Sequence, residues 1–158
     1  MTTSKEDVDG AVIHASAVAV NGQAVMLCGP SGSGKSTLAM RLIDGHGARL
    51  IGDDRIVLHA AQNVLHAGPH ENLAGLIELR GLGLMRLPYD TNVPLALVVQ
   101  LVARAEVPRL AEAARFCAHG LSVAQLRLHG HDVATPLIIM QALTALADGF
   151  RDDATYEA

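Results

Sequence analysis

Between the apolar run Ala24 to Cys28 and a helix-like pattern that begins near Ser36 stand eight residues, Gly29-Pro30-Ser31-Gly32-Ser33-Gly34-Lys35-Ser36. They fit G-x-x-x-x-G-K-[ST] at every fixed position. Average residue usage gives a chance match in a chain of this length on the order of once in a hundred. The pattern has a specific physics. A glycine-rich turn lets several backbone N–H groups converge on one anion. The helix that follows points the positive end of its dipole at the same place. Lys35 adds a mobile cation for the β and γ phosphates of a nucleotide, and Ser36 offers a hydroxyl to Mg²⁺. Residues 29–36, with Thr37 just beyond, are therefore the expected nucleotide-binding set, and the strand–loop–helix context supports that reading.

The rest of the chain arranges itself around this loop. Residues 12–20 are small and apolar, broken by His14 and Ser16, and Asn21-Gly22 separates them from Ala24 to Cys28. Asn-Gly between two strand-like runs predicts a hairpin, so an antiparallel strand precedes the phosphate-loop strand. A helix is expected from Ser36 to Asp44, ended by Gly45 and Gly47. A short strand over Arg49 to Ile51 then leads into Gly52-Asp53-Asp54. Runs at 56–58 and 64–65 flank a turn at Gln62-Asn63, and 68–72 read as loop. Leu76 to Leu87 reads as strand with a Gly-Leu-Gly interruption, and Leu95 to Val102 as a buried central strand. Residues 107–119 read as a partly exposed helix, 123–128 as a strand and 137–147 as a closing helix. This alternation predicts the α/β class, as a single phosphate-loop domain over 11–150 between polar tails at 1–10 and 151–158.

Charge and composition exclude several classes. Half of the residues are hydrophobic, which rules out a disordered chain. The net charge of −4 argues against a general nucleic-acid binder. No apolar run approaches the roughly 20 residues needed to cross a bilayer, and the first ten residues do not form a signal peptide. Cys28 and Cys117 lack metal or redox spacing and read as buried free thiols in a reducing cytoplasm.

Three further groups carry chemistry. Asp53-Asp54 end the strand after the phosphate-loop helix, where an acid can hold Mg²⁺ or take a proton from an attacking hydroxyl. Aspartate also favours turns on its own account. If Asn21-Gly22 is a two-residue turn, Val20 faces Gln23, and counting outward brings His14 beside Gly29. Glu78 and Arg80 share one strand face, and Gly81 and Gly83 leave room for a ligand or another backbone.

Together these pieces resemble the catalytic domain of the HPr kinase/phosphorylase family. The resemblance runs from about His14 to Leu146 and rests on His14, the loop 29–36, Asp53-Asp54 and Glu-Leu-Arg-Gly-Leu-Gly-Leu at 78–84. In length it resembles a short alphaproteobacterial-type member, lacking the N-terminal domain of the longer enzymes. It implies a phosphate-loop fold related to phosphoenolpyruvate carboxykinase. It implies a bacterial, cytoplasmic protein-serine kinase that uses ATP and Mg²⁺ to phosphorylate HPr, the phosphocarrier of the sugar phosphotransferase system. By the same resemblance, Asp54 is the base (and the acid in reverse), His14 its partner, and Lys35 the cradle of the transferred phosphate. Ser36, Asp53 and Glu78 would serve the metal, and Arg109 would be a catalytic arginine. A homo-oligomer, a hexamer in the family, is implied as well. Two departures stand out. Thr37 occupies a position where the family often has Glu. The segment His129-Gly130-His131-Asp132-Val133-Ala134-Thr135 holds the place of a basic loop tied to dephosphorylation, so the resemblance carries the kinase direction further than the phosphorylase one. Two other readings use the same loop: a small-molecule kinase, and a non-catalytic nucleotide-sensing module that needs neither Asp54 nor His14.

Overall fold

The computed structural model describes residues 10–112 and 114–147; the tail expected at 1–10 falls almost wholly outside that span, and the tail at 151–158 wholly so. Alternation decides the first layer. Strand β1 is Ala11–Ile13, β2 is Ala15–Val20 and β3 is Gln23–Cys28. β2 and β3 pair antiparallel with Val20 opposite Gln23 and Ala15 opposite Cys28. The turn between them has φ 49° at Asn21 and 78° at Gly22, the conformation Asn-Gly favours. Val18, Val20, Val25 and Leu27 point to one face, and Ala15, Ala17, Ala19, Ala24 and Met26 to the other. Both faces are buried.

The first face is covered by helix α1, Lys35–His46, and helix α2, Thr135–Ala147, through Leu38, Leu42, Ile139 and Leu143. α1 runs through Gly45 and stops at Gly47, which takes φ 70°. The second face is covered by the sheet itself. Strand β4 is Arg49–Gly52, β5 is Ile56–Ala61 and β6 is Val64–Pro69. β5 and β6 form a hairpin that curls back, so that Ile56, Leu58, Leu65 and Ala67 pack on the alanine face of β2. The small alanines let the two layers approach closely.

Strand β9, Val93–Leu101, is the central strand that its apolar run predicts. One edge pairs in parallel with β3. The other is shared, β6 taking Val93 and Pro94, and β11, Leu121–Leu128, pairing from Leu97 onward. β7, Leu76–Leu79, and β8, Gly83–Arg86, form a separate hairpin. Arg80 therefore sits in its turn and not on a strand face with Glu78. Gly68 and Pro69 end β6, so the loop expected at 68–72 is reduced to a short connection and a 3-10 turn at Glu71–Leu73.

The helix expected over 107–119 is absent among the described residues. A 3-10 turn at Arg104–Glu106 is followed by irregular chain and then by β10, Ala114–Ala118, antiparallel to β11. Residues 114–118 alternate between half-buried and exposed, with period 2, and the sheet edge beside β11 overrides the helix propensity of an Ala-rich segment. That alternation leaves Cys117 exposed, where a buried thiol was expected, whereas Cys28 is buried. No helix of the described residues is long and apolar enough to cross a membrane.

Candidate phosphate-binding and proton-transfer site

β2 runs antiparallel to both of its neighbours, β3 and β4. Its beginning therefore lies at the edge of the sheet where β3 and β4 end. That one fact of topology gathers His14, the phosphate loop and the Asp53-Asp54 turn, and the amide of Ala15 bonds the Asp54 carbonyl at 3.2 Å. They share a cavity of about 660 Å³ whose walls also include Glu78, Arg80, Gly81, Gly83 and Leu84 from the β7–β8 hairpin, and His131.

The loop is built for an anion. Gly34 takes φ 97° and precedes α1 without any side-chain cap, and no acid sits in the first turn. The first amides of α1 thus have no partner inside the helix, and the dipole is not offset. The Lys35 ammonium is almost buried and donates to the carbonyls of Gly29 at 2.7 Å and Pro30 at 3.0 Å. Beside it, burial pushes the Cys28 thiol up to about 11, and the Lys35 charge opposes that rise. The Ser33 hydroxyl oxygen is buried in the loop without a hydrogen-bond partner.

The two adjacent acids face different tasks. Asp53 is 7% exposed and saturated with donors. Its Oδ1 accepts from Ser36 Oγ at 2.7 Å and from Ser16 Oγ at 2.6 Å, and its Oδ2 from the Glu78 amide at 3.2 Å. Asp54 turns the other way because its φ is 68°, a left-handed value aspartate tolerates. Its carboxylate reaches His14 Nε2 at 2.9 Å, with the two side chains 59% and 60% exposed. One acid is locked beside the loop's serine, and the other stands at the cavity mouth with an imidazole behind it. Ser36, Asp53 and Glu78 line the same cavity, and their hydroxyl and carboxylate oxygens are donors of the kind that could hold a small hard cation such as Mg²⁺.

The residue 129–134 segment, which the resemblance set only in the place of a basic loop and which was absent from the expected site residues, straps the phosphate loop from behind. His131 Nε2 donates to the Gly32 carbonyl at 3.1 Å, and His129 Nδ1 to the Val102 carbonyl at 2.9 Å. Each imidazole is thus tied to a backbone oxygen, and no group of three metal-binding side chains occurs among the described residues. Arg41 of α1 holds the strap through the carbonyls of Gly130, Asp132 and Val133, and Arg104 pairs with Asp132. The amide of Ala134, and then Arg104, hold the Asp132 carboxyl below its usual range. His129-Gly130-His131 was the sequence signal for this element, but nothing in its spacing pointed at the phosphate loop.

Arg109 is not brought to the site. It is exposed in the irregular segment before β10, on chain that was expected to be helical, and it does not line the cavity.

Residues 8–106 match the model of the HPr Serine kinase C-terminal domain. That span holds His14, residues 29–36, Asp53, Asp54 and Glu78, and stops short of Arg109 and the strap. The HPr kinase/phosphorylase of Mycoplasma mycoides subsp. mycoides SC is 38% identical over 96 residues, 56% of this chain and 30% of the relative. That of Prosthecochloris aestuarii is 44% identical over 73 residues, 46% of this chain and 21% of the relative. The chain thus matches less than a third of the length of these curated relatives. The solved structure of the Hpr(Ser) kinase/phosphatase from Coxiella burnetii shares the fold with a TM-score of 0.75 at 22% identity, over 87% of this chain and 99% of that one. On the matched span, which is well over half of its length, the chain belongs to the HPr Serine kinase C-terminal domain family.

Proposed function

We propose that this chain is an ATP-dependent protein-serine kinase that phosphorylates HPr in the cytoplasm. The observation that carries the proposal is the exposed Asp54–His14 pair, 2.9 Å apart, at the mouth of a cavity whose floor is the phosphate loop. A carboxylate in that position can accept the proton of a serine hydroxyl as its oxygen attacks the terminal phosphoryl group of ATP, with ADP leaving. His14 orients Asp54 and supports its charge. Lys35, the α1 amides and the loop backbone hold the phosphates. Ser36, Asp53 and Glu78 are the residues that would hold Mg²⁺, which when bound neutralises charge on the phosphate oxygens. In the reverse direction protonated Asp54 would return its proton to the serine oxygen.

A protein substrate suits an open mouth. Leu82 and Leu84, 72% and 70% exposed, project from the hairpin turn and strand beside the cavity, so a folded partner meets apolar surface next to the phosphate site. The homo-oligomer implied by the family is supported by a second apolar patch, Val133, Leu137 and Ile138 at the start of α2; light scattering on the purified chain measures it.

The test is direct. HPr is incubated with the chain, ATP and Mg²⁺ and weighed by intact mass spectrometry, with Asp54→Asn in parallel. The proposal expects one phosphoryl group on serine, absent with the variant. No gain of mass, with ATP still bound tightly, would refute the HPr kinase and leave the nucleotide-sensing module.

A further inference from the structure

Four polar or charged side chains among the described residues are buried: Ser16, Lys35, Asp53 and Thr135. Lys35 and Asp53 belong to the site. Thr135 donates to the His129 carbonyl at 2.6 Å and closes the strap. Ser16 remains. It is 0% exposed in a strand otherwise made of Ala and Val, where a hydroxyl is costly unless it is paired. Its partner is Asp53 Oδ1 at 2.6 Å.

We propose that Ser16 is a positioning residue that fixes Asp53 for cation binding. The inference rests on the reading that Ser36 and Asp53 hold a divalent cation. Asp53 lies just past the end of β4, where a turn begins, and its side chain needs an anchor. Three elements supply donors: β2 through Ser16, α1 through Ser36 and β7 through the Glu78 amide. Of these, only β2 is hydrogen-bonded on both edges within the sheet, to β3 and to β4. It is the one donor held independently of the phosphate loop and of the hairpin. With Ser16 in place, Asp53 Oδ1 stays where the Ser36 hydroxyl donates to it, and the lone pairs of Ser36 are left free for a cation. Without Ser16, the buried carboxylate loses a donor that water cannot replace, and it turns toward the donors that remain. Outer partners of this kind typically govern metal affinity by about tenfold or more.

The experiment measures Mn²⁺ binding to the full chain by electron paramagnetic resonance in the presence of ADP. Wild type, Ser16→Ala, Ser16→Thr, Asp53→Asn and the double variant Ser16→Ala/Asp53→Asn are compared, with ADP affinity in chelator as a control. Ser16→Ala should weaken Mn²⁺ binding about tenfold while metal-free ADP binding is unchanged. Ser16→Thr, which keeps the hydroxyl, should restore most of it. In the Asp53→Asn background Ser16→Ala should have no further effect, because the interaction it removes is already lost. Equal Mn²⁺ binding by wild type and Ser16→Ala would overturn the assignment and leave the cation reading intact. So would an undiminished effect of Ser16→Ala in the Asp53→Asn background, which would mark a packing role. A wild-type chain that binds no Mn²⁺ would overturn the cation reading and this inference with it. Should the added methyl of Ser16→Thr prevent folding, the double-variant cycle decides alone.

Discussion

Replacing Gly130 by alanine should separate the phosphate loop from the strap behind it. Gly130 is buried, and a Cβ there would fall inside van der Waals contact of the Ser33 carbonyl oxygen, and 3.2 Å from both the Ser33 carbonyl carbon and Leu101 Cδ1. The blocking atoms of Ser33 are backbone, so no rotamer change relieves the clash and the strap or the loop must move. Overpacking of this kind costs about 1–3 kcal/mol, and a backbone shift belongs at the upper end. At about 2–4 °C per kcal/mol for a chain of this size, a loss of about 3 kcal/mol lowers Tm by about 6–12 °C. Nucleotide affinity should fall with it, since the displaced atoms belong to the residues that cradle phosphate. Gly45→Ala is the control. Gly45 lies inside α1 with ordinary φ, and nothing stands within 4 Å of its added Cβ. There the substitution should stabilise by about 0.5–1 kcal/mol through the helix propensity of alanine. Differential scanning fluorimetry and ADP titration of both variants read the contrast. A Gly130→Ala chain with unchanged Tm and unchanged ADP affinity would refute the close packing of strap on loop.

Three other outcomes are expected. Asp54→Asn should leave Tm nearly unchanged, since an ion pair this exposed contributes about 0–1 kcal/mol and Asn accepts the left-handed φ of 68°. HPr phosphorylation by that variant should fall by about 10²–10⁴, and a parallel loss of fold would sink the division between the two effects. Leu82→Asp and Leu84→Asp should keep nucleotide binding and raise KM for HPr; an unchanged KM would remove the hairpin from substrate docking. The Asp132 carboxyl is held below its ordinary 3.8, so it adds stability above that pH that is lost as pH falls through the lower folded value. Asp132→Asn should therefore flatten the acid limb of a circular-dichroism titration below 3.8, and an unaltered limb would count against the Ala134 and Arg104 contacts.

The elements written in local pattern were legible before the fold was known. The eight-residue loop, the Asn21-Gly22 hairpin with its register, and the apolar strand that became β9 each depend on neighbours within a few residues. His14 was legible beyond that range only because a two-residue turn fixes the pairing of everything outward from it. Where local signals competed, the sequence misled. The Ala-rich stretch after Pro108 favours helix by propensity, yet its alternating faces and the free edge of β11 made residues 114–118 a strand, and Arg109 lies in the irregular chain before it.

What the sequence determined by itself was the phosphate loop and the family to which the chain belongs, because the loop is one local motif and the family rests on short motifs in a recognisable order along the chain. What the tertiary structure decided was which side chains converge on that loop from a distance. The antiparallel path of β2 between β3 and β4 brings Ser16 against Asp53, 37 residues away in the chain. The packing of α1 and β9 carries Gly130 and His131 onto a loop about a hundred residues earlier. A serine within an apolar run and a His-Gly-His segment in a loop carry no record of their partners, since contact at that separation is fixed by the layering of the sheet and its helices and not by spacing along the chain.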